Sequence, residues 1–164
     1  MGRKYAIDAN IFISASRLYY PFDVAPAFWK QLLEKGADKV ILIDRICDEI
    51  FRGGDQLSQW LRENRHEFCL RSSQDPVVIA SYREIISNVS QNLRYTEAAR
   101  RQFATVADSW VCAHSLAWSY TVVTEEIHEP ARQNRIKIPD VCVEFGIDYI
   151  DRLQFIRQIG IVFE

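Results

Sequence analysis

The sequence lacks a long apolar run. No segment approaches the roughly 20 apolar residues that a membrane-spanning helix needs. The short apolar stretch near the N-terminus is interrupted by Asp8, so a signal peptide is not expected. Internal repeats and low-complexity tracts are also missing. These absences predict a cytoplasmic protein with no membrane partner.

The sequence also has little net charge and no paired cysteines. Its 20 Lys and Arg residues and 22 Asp and Glu residues leave a net charge of −2, with a pI of about 5.9. This balance argues against a protein that binds nucleic acid over its whole surface, although it permits a local basic patch. No CxxC pair or complete zinc-ligand set is present. The four cysteines are therefore interpreted as reduced, buried thiols; they are Cys47, Cys69, Cys112 and Cys142.

What the sequence does contain is an alternation of strand-like and helix-like segments. Its 164 residues, 48% of them hydrophobic, suit one domain over residues 1–164 with a sizeable core. Buried strands are predicted at about Lys4–Asp8, in "DKVILID", in "TVVT" and at Ile161–Phe163, with amphipathic helices between them. The alternation predicts an α/β fold, a three-layer α/β/α sandwich with a mainly parallel central sheet.

Carboxylates recur at the places where such a fold collects ligands, which lie outside the carboxyl ends of the strands. Asp8 ends the first strand, Glu49 lies on the helix after the second, and Asp108 lies on the packed face of a long helix. Glu126 follows the strand that ends at Thr124. A carboxylate on a packed face is costly unless a partner compensates it. These four acids are therefore expected at one edge of the sheet.

Each acid also has a plainer interpretation. Asp8 could cap a loop, Glu49 could be solvated like its neighbour Asp48, and Asp108 could be an N-cap or an ion-pair partner. Glu125 competes with Glu126 for the role after the strand. The three histidines and four tryptophans are interpreted as surface or core residues, with the tryptophans serving packing rather than base stacking.

Four segments together resemble a known family. "YAIDANIFI", "ILIDRICDEI", "ADSWVCAHSLAWSYTVVTEE" and "KIPDVC" are similar to the motifs of PIN domains, in particular the PIN-like branch related to VapC-type toxin ribonucleases of toxin–antitoxin pairs. The resemblance extends from Lys4 to Phe163. It implies a PIN-like α/β/α fold and a metal site made by Asp8, Glu49, Asp108 and Glu126, where Glu126 replaces the family's usual Asp. Asp140 in "KIPDVC" is an additional acid near this site, with a helix-start role as its alternative.

The chemistry of the acids agrees with that resemblance. Carboxylates held about 4 Å apart repel by roughly 4 kcal/mol at an effective dielectric of 20, and a divalent cation removes this repulsion. Mg²⁺ and Mn²⁺ prefer oxygen ligands, and a metal-activated water can hydrolyse a phosphodiester. Asn10 and Thr124 are expected to orient ligands or contact the phosphate. With this chemistry, the resemblance implies a Mg²⁺- or Mn²⁺-dependent endoribonuclease that is the toxin of a toxin–antitoxin pair.

Other functions and partners stay open at this stage. A PIN-like module that binds RNA or protein without cutting is one alternative, and a structure-specific DNA nuclease is another. The segment "LYYPFDVAPAFW" carries five aromatic rings that an antitoxin or a second copy in a homodimer could cover; simple core packing would explain them equally well. Basic residues near the acids are weak candidates for RNA contacts: Arg94, Arg100, Arg101, Arg132, Arg135 and Lys137.

Overall fold

The structure, a computed structural model, describes residues 2–164. Within that range the strands are β1 (Tyr5–Ile7), β2 (Val40–Ile43), β3 (Cys69–Arg71), β4 (Thr121–Val123) and β5 (Tyr149–Ile150). The α-helices are α1 (Ala9–Ser14), α2 (Pro26–Gly36), α3 (Asp44–Arg52), α4 (Gln56–Asn64), α5 (Pro76–Gln91), α6 (Glu97–Thr105), α7 (Ala107–Trp118), α8 (Ile138–Phe145) and α9 (Arg152–Ile159). A π-helical turn, Ala15–Tyr19, continues α1. None of the helices within this range combines the length and apolar character needed to cross a bilayer.

The strands form one parallel sheet in the order β3-β2-β1-β4-β5. The chain adds strands outward from β1 in one direction, then returns to place β4 and β5 on the other side. In the register of the central strands, Ala6 lies opposite Ile41 of β2 and Val122 of β4. The strand order therefore reverses between β1 and β4, and the carboxyl ends of these two strands bound the crevice where such folds bind ligands.

The central strands are short and apolar because both faces of the sheet are covered. Every residue of β1, β2 and β4 is buried, as is typical of parallel sheets with helices on both faces. Helices flank the sheet in an α/β/α arrangement. The three-layer fold predicted from the sequence is thus confirmed.

Helix starts in the structure follow local sequence signals. Asp75 caps α5 by accepting a hydrogen bond from the N–H of Val77 at 2.9 Å, and Pro76 occupies the first turn; both residue types are favoured at these positions. The long helix predicted to carry Asp108 is interrupted, because Val106 adopts an extended conformation and separates α6 from α7. This break makes α7 start immediately before Asp108.

The prediction of a final strand at Ile161–Phe163 is wrong, because this segment is not part of the sheet. The side-chain amide of Gln31 on α2 takes the place of a neighbouring strand: it accepts from the N–H of Val162 at 3.1 Å and donates to its carbonyl at 2.8 Å. Phe163 stacks on Tyr20, with ring centroids 5.4 Å apart. The apolar residues Ile161–Phe163 therefore pack against α2. The last strand of the sheet, β5, lies earlier in the chain.

The aromatic segment after α1 packs largely against itself. Phe28 and Trp29 are buried, Tyr20 stacks on Phe28 with centroids 4.4 Å apart, and Phe22 stacks on Trp29 at 4.3 Å. Tyr19 is the exception, since it stays 49% exposed. Core packing thus explains four of the five rings, while Tyr19 stays half exposed with the Arg152 guanidinium over its ring.

Candidate functional site

Asp8 follows β1 at the reversal point of the sheet. It is only 1% exposed and occupies the N-cap position of α1 without a side-chain capping hydrogen bond. Its Oδ2 receives one long hydrogen bond, from the hydroxyl of Thr124 at 3.4 Å. A backbone hydrogen bond from Asn10 also lowers the pKa of this carboxyl, so the cap alternative stays open, and the buried carboxylate otherwise has little compensation.

The electrostatics of Asp8 identify its neighbours. Burial raises the pKa of this carboxyl well above its usual range, and the charges of Asp108, Glu126 and Glu49 raise that pKa further. Such repulsion requires the groups to lie near one another. The structure thus brings together the four acids that the sequence predicted at one edge of the sheet.

Glu126 is the clearest sign of a missing partner. Its side chain is 11% exposed and its Oε1 lies 3.9 Å from the Arg135 guanidinium, but both carboxylate oxygens are buried without a hydrogen-bond partner among the described residues. Burial, with the Asp108 charge, raises its pKa to about 7, against the opposing charges of Arg135 and Lys137. Unsatisfied buried acceptors are rare in proteins, so these two oxygens are suited to receive a cation.

Glu49 and Asp108 complete the cluster from two packed helices. Glu49 lies one and a half turns into α3, and burial together with the Asp108 charge raises its pKa. Burial also raises the pKa of Asp108, while the charge of Arg135 opposes that rise. Asp108 is not the N-cap of α7, because Val106 holds that position. Each of the four acids is thus positioned by a different element of the fold.

The loop after β4 places the consecutive residues Glu125 and Glu126 in different environments. The hydroxyl of Thr124 accepts a hydrogen bond from the N–H of Glu126 at 3.1 Å, which turns Glu126 inward beside Asp8. Glu125 is 38% exposed and pairs with Arg152 at 3.4 Å, and that guanidinium lies over the ring of Tyr19. Of the two glutamates, Glu126 is therefore the one inside the cluster.

Asp140 has a different set of partners. Its Oδ1 accepts hydrogen bonds from His128 Nδ1 at 2.6 Å and from the N–H of Glu129 at 2.9 Å. Its Oδ2 accepts from the N–H of Lys137 at 3.4 Å, at the start of α8. These bonds match the helix-start alternative. Metal binding by Asp140 stays a prediction, with its oxygens already engaged in holding the loop.

The residues fit a hard divalent cation by chemistry, without forming a finished cage. Across residues 2–164, no three acidic, histidine or cysteine side chains already have the spacing to hold one ion. The four acids nevertheless offer only oxygen donors, which Mg²⁺ and Mn²⁺ prefer. The orphaned oxygens of Glu126 and the mutual repulsion at Asp8 are both features that a cation would relieve.

The predicted orienting and RNA-binding residues divide into two groups. Thr124 links Asp8 to Glu126, whereas Asn10 is exposed. The charges of Arg135 and Lys137 act to lower the pKa of Glu126. The other four basic residues have contacts elsewhere: Arg94 with Pro130, Arg100 with Ser90, Arg101 with Glu97, and Arg132 with Glu129.

Two contacts at this edge of the sheet escaped prediction. Fully buried His114 bonds to the hydroxyl of Ser73 at 2.9 Å, and that hydroxyl donates to Asp44 at 2.5 Å. Arg45 lies over Trp110, with the guanidinium carbon 4.6 Å from the ring centroid. Both contacts join residues that are far apart in the chain, so no local sequence signal could have indicated them.

Comparison with known proteins agrees with this architecture. The parallel sheet with helices on both faces matches the PIN-like α/β/α fold that the resemblance implied. The chain belongs to the family described as "Domain of unknown function (DUF4411)", whose model matches residues 5–163. It is similar in structure to a chain of VapBC2 from Rickettsia felis, solved bound to a DNA fragment from their promoter. The TM-score is 0.55 at 11% sequence identity, over 90% of this chain and 97% of that chain, which supports the fold alone. No curated protein sequence matches the chain.

The acid cluster predicts an unusual pH dependence of stability in EDTA. The pKa of Glu126 is raised from 4.5 to about 7, so the folded state holds this proton more tightly than the unfolded chain does. The resulting stabilisation is complete below the unfolded pKa and is lost as the pH rises through the folded pKa. A difference of about 2.5 units corresponds to about 3 kcal/mol. We expect urea denaturation between pH 4.5 and 8 to show the free energy of unfolding falling with pH.

Two variants make that measurement specific. Glu126→Gln should make the pH dependence shallower, because it removes one of the carboxyls whose pKa is raised inside the cluster. Glu125→Gln should leave the profile as in the wild type, because Glu125 is more exposed and pairs with Arg152. A wild-type stability that does not change over this pH window would contradict the electrostatics described above.

Proposed function

We propose that the protein is a divalent-metal-dependent endoribonuclease and the toxin of a toxin–antitoxin pair. The observation that carries this proposal is the meeting of Asp8, Glu49, Asp108 and Glu126 at the reversal point of the sheet. A cluster of mutually repelling acids with raised pKa values is a candidate functional site. The PIN-like, VapC-related fold favours nuclease chemistry over other uses of such a cluster.

In this proposal Asp8, Asp108 and Glu126 hold Mg²⁺ or Mn²⁺, and Glu49 contributes directly or through water. The bound ion would supply Lewis acidity and make a water molecule more acidic. Thr124 fixes the relative positions of Asp8 and Glu126 through its hydroxyl. Arg135 and Lys137, at the rim of the cluster, attract the phosphate and offset its charge.

The proposed partner is an antitoxin that covers the face around the π-helical turn. The Rickettsia felis neighbour was solved as VapBC2 with promoter DNA, and this supports a partner of that type here. Leu18 and Val24 are 72% and 74% exposed, beside half-exposed Tyr19. A homodimer through the same face is the competing assignment, and light scattering of the purified protein distinguishes the two.

Cleavage of RNA with mapped ends tests the proposed activity. We expect a single-stranded RNA to be cut internally in Mg²⁺ or Mn²⁺ and to stay intact in EDTA. The products should carry 5′-phosphate and 3′-hydroxyl ends, because the attacking oxygen comes from water rather than from the ribose 2′-hydroxyl.

The other outcomes of this assay assign the alternatives. Cleavage that persists in EDTA, or 2′,3′-cyclic phosphate ends, would rule out the proposed chemistry. Cleavage confined to branched DNA would favour a structure-specific DNA nuclease. Binding of RNA without cleavage under any metal would favour a non-catalytic module.

A further inference from the structure

Arg45, Trp110 and Tyr82 form a three-layer stack on the surface. The guanidinium carbon of Arg45 lies 4.6 Å from the centroid of the Trp110 ring. The Trp110 and Tyr82 rings are parallel within 8°, with centroids 3.9 Å apart. The Tyr82 hydroxyl donates to the carbonyl of Ala104 at 2.8 Å. The stack therefore rests on an anchored ring, and Arg45, its outer layer, is exposed to solvent.

Arg45, the outer layer of the stack, lies one helical turn from Glu49 of the acid cluster. Arg45 and Trp110 belong to α3 and α7, the same two helices that bring Glu49 and Asp108 into electrostatic contact. At 3.6 residues per turn, Arg45 is only about 40° around α3 from Glu49 and one turn before it. The two side chains thus share a face of α3.

Arg45 is free to bind an anion. Among the described residues its guanidinium makes no ion pair and no hydrogen bond, whereas Arg17, Arg101, Arg132, Arg135 and Arg152 each face a carboxylate. A guanidinium that lies flat on an aromatic ring keeps its N–H donors at its edge. Those donors match phosphate oxygens in a bidentate arrangement. Stacking also reduces the entropy lost when the ligand binds.

We infer that Arg45, held on Trp110, forms a binding site for a backbone phosphate of single-stranded RNA next to the acid cluster. This inference rests on the proposed function for the identity of the strand. Both faces of Trp110 are covered, by Arg45 and by Tyr82, so the indole supports the arginine and does not stack on a base. The contact fixes the position of the strand and carries no sequence preference.

The test measures binding of a fluorescent single-stranded RNA in Mg²⁺ at several salt concentrations. Asp8→Asn protein is used throughout, so that the RNA is not consumed. Adding Arg45→Ala should weaken binding about tenfold and reduce the slope of log K against log salt by about 0.7, the value for one phosphate contact in single strands. Arg45→Lys should restore the slope but only part of the affinity, because lysine keeps the charge and loses the planar donors.

Arg62→Ala is the matched control. Arg62 is also exposed, lies over an aromatic ring, Phe51, at 4.4 Å, and has no ion pair in the described part of the chain. Phe51 is about 200° around α3 from Glu49, on nearly the opposite side. Loss of Arg62 should leave the affinity and the salt slope unchanged.

The outcomes separate this inference from the proposed activity. Wild-type affinity and slope in Arg45→Ala, an equal loss in Arg62→Ala, or no RNA binding at all would overturn the inference. If the protein that retains Asp8 cuts RNA but Arg45→Ala does not weaken RNA binding, the proposed nuclease activity is supported and the phosphate site is contradicted. If RNA binds through Arg45 but is never cut, the phosphate site is supported and the proposed nuclease activity is contradicted.

Discussion

Asp8→Asn is expected to lower the rate of RNA cleavage about a thousandfold, equivalent to about 4 kcal/mol of transition-state stabilisation. The substitution preserves the shape of the side chain and removes its charge. Asp8 is the most buried of the four acids, and the other three all raise its pKa. Loss of this charge should therefore remove the strongest ligand position while leaving the crevice in place. Single-turnover cleavage in Mg²⁺ measures the effect.

Two controls distinguish loss of the Asp8 carboxylate from a general loss of folding or activity. Because Asp8 is repelled by its neighbours, the neutral variant should unfold at an equal or higher temperature than the wild type in EDTA. Glu125→Gln, which changes the adjacent exposed carboxylate paired with Arg152, should cleave RNA at nearly the wild-type rate. An Asp8→Asn protein that is folded and fully active would refute the assignment of this residue.

Mg²⁺ or Mn²⁺ is expected to raise the melting temperature by about 5–10 °C at a hundredfold excess over its dissociation constant. Binding to the folded state alone then contributes about 2.7 kcal/mol, and each kcal/mol shifts a protein of this size by roughly 2–4 °C. The cation should act more strongly at pH 8 than at pH 5.5, because at low pH it competes with the proton held by Glu126, whose pKa is about 7. Differential scanning calorimetry measures both effects.

The same experiment on variants locates the ion. Asp108→Asn and Glu126→Gln should each remove most of the metal-dependent shift, since both change carboxyls inside the cluster. Glu125→Gln and Asp140→Asn are the controls and should keep the metal-dependent shift. They change acids whose partners are Arg152 and the residues around the start of α8. Metal-dependent stabilisation that survives loss of Asp108 but disappears in Asp140→Asn would move the site to α8.

The sheet could be predicted from the sequence where burial leaves a strong pattern. The strands β1, β2 and β4 read as apolar runs because both of their faces are covered. The edge strands β3 and β5 are partly exposed, so their sequences carry no such run. The tail at Ile161–Phe163 has a strand-like composition but bonds to the side chain of Gln31, a tertiary contact that no local pattern encodes.

The acid cluster was predictable for a topological reason. Parallel strands bring their carboxyl ends to one edge, so Asp8 and Glu126 could be placed together without knowledge of side-chain contacts. The choice between Glu125 and Glu126 could not be made, because it depends on the Thr124 hydroxyl and on Arg152 of α9. The Arg45–Trp110 contact was missed for the same reason, since it exists only once α3 packs against α7.

Anomalous diffraction from a crystal soaked in Mn²⁺ tests the central claim, that the four acids form one metal site. The account predicts an anomalous peak within coordinating distance of Asp8, Asp108 and Glu126, with Glu49 bound directly or through a water, and with no peak in crystals of the Asp8→Asn protein. A peak only at Asp140 or at surface carboxylates, or no peak between the four acids at saturating Mn²⁺, would contradict it.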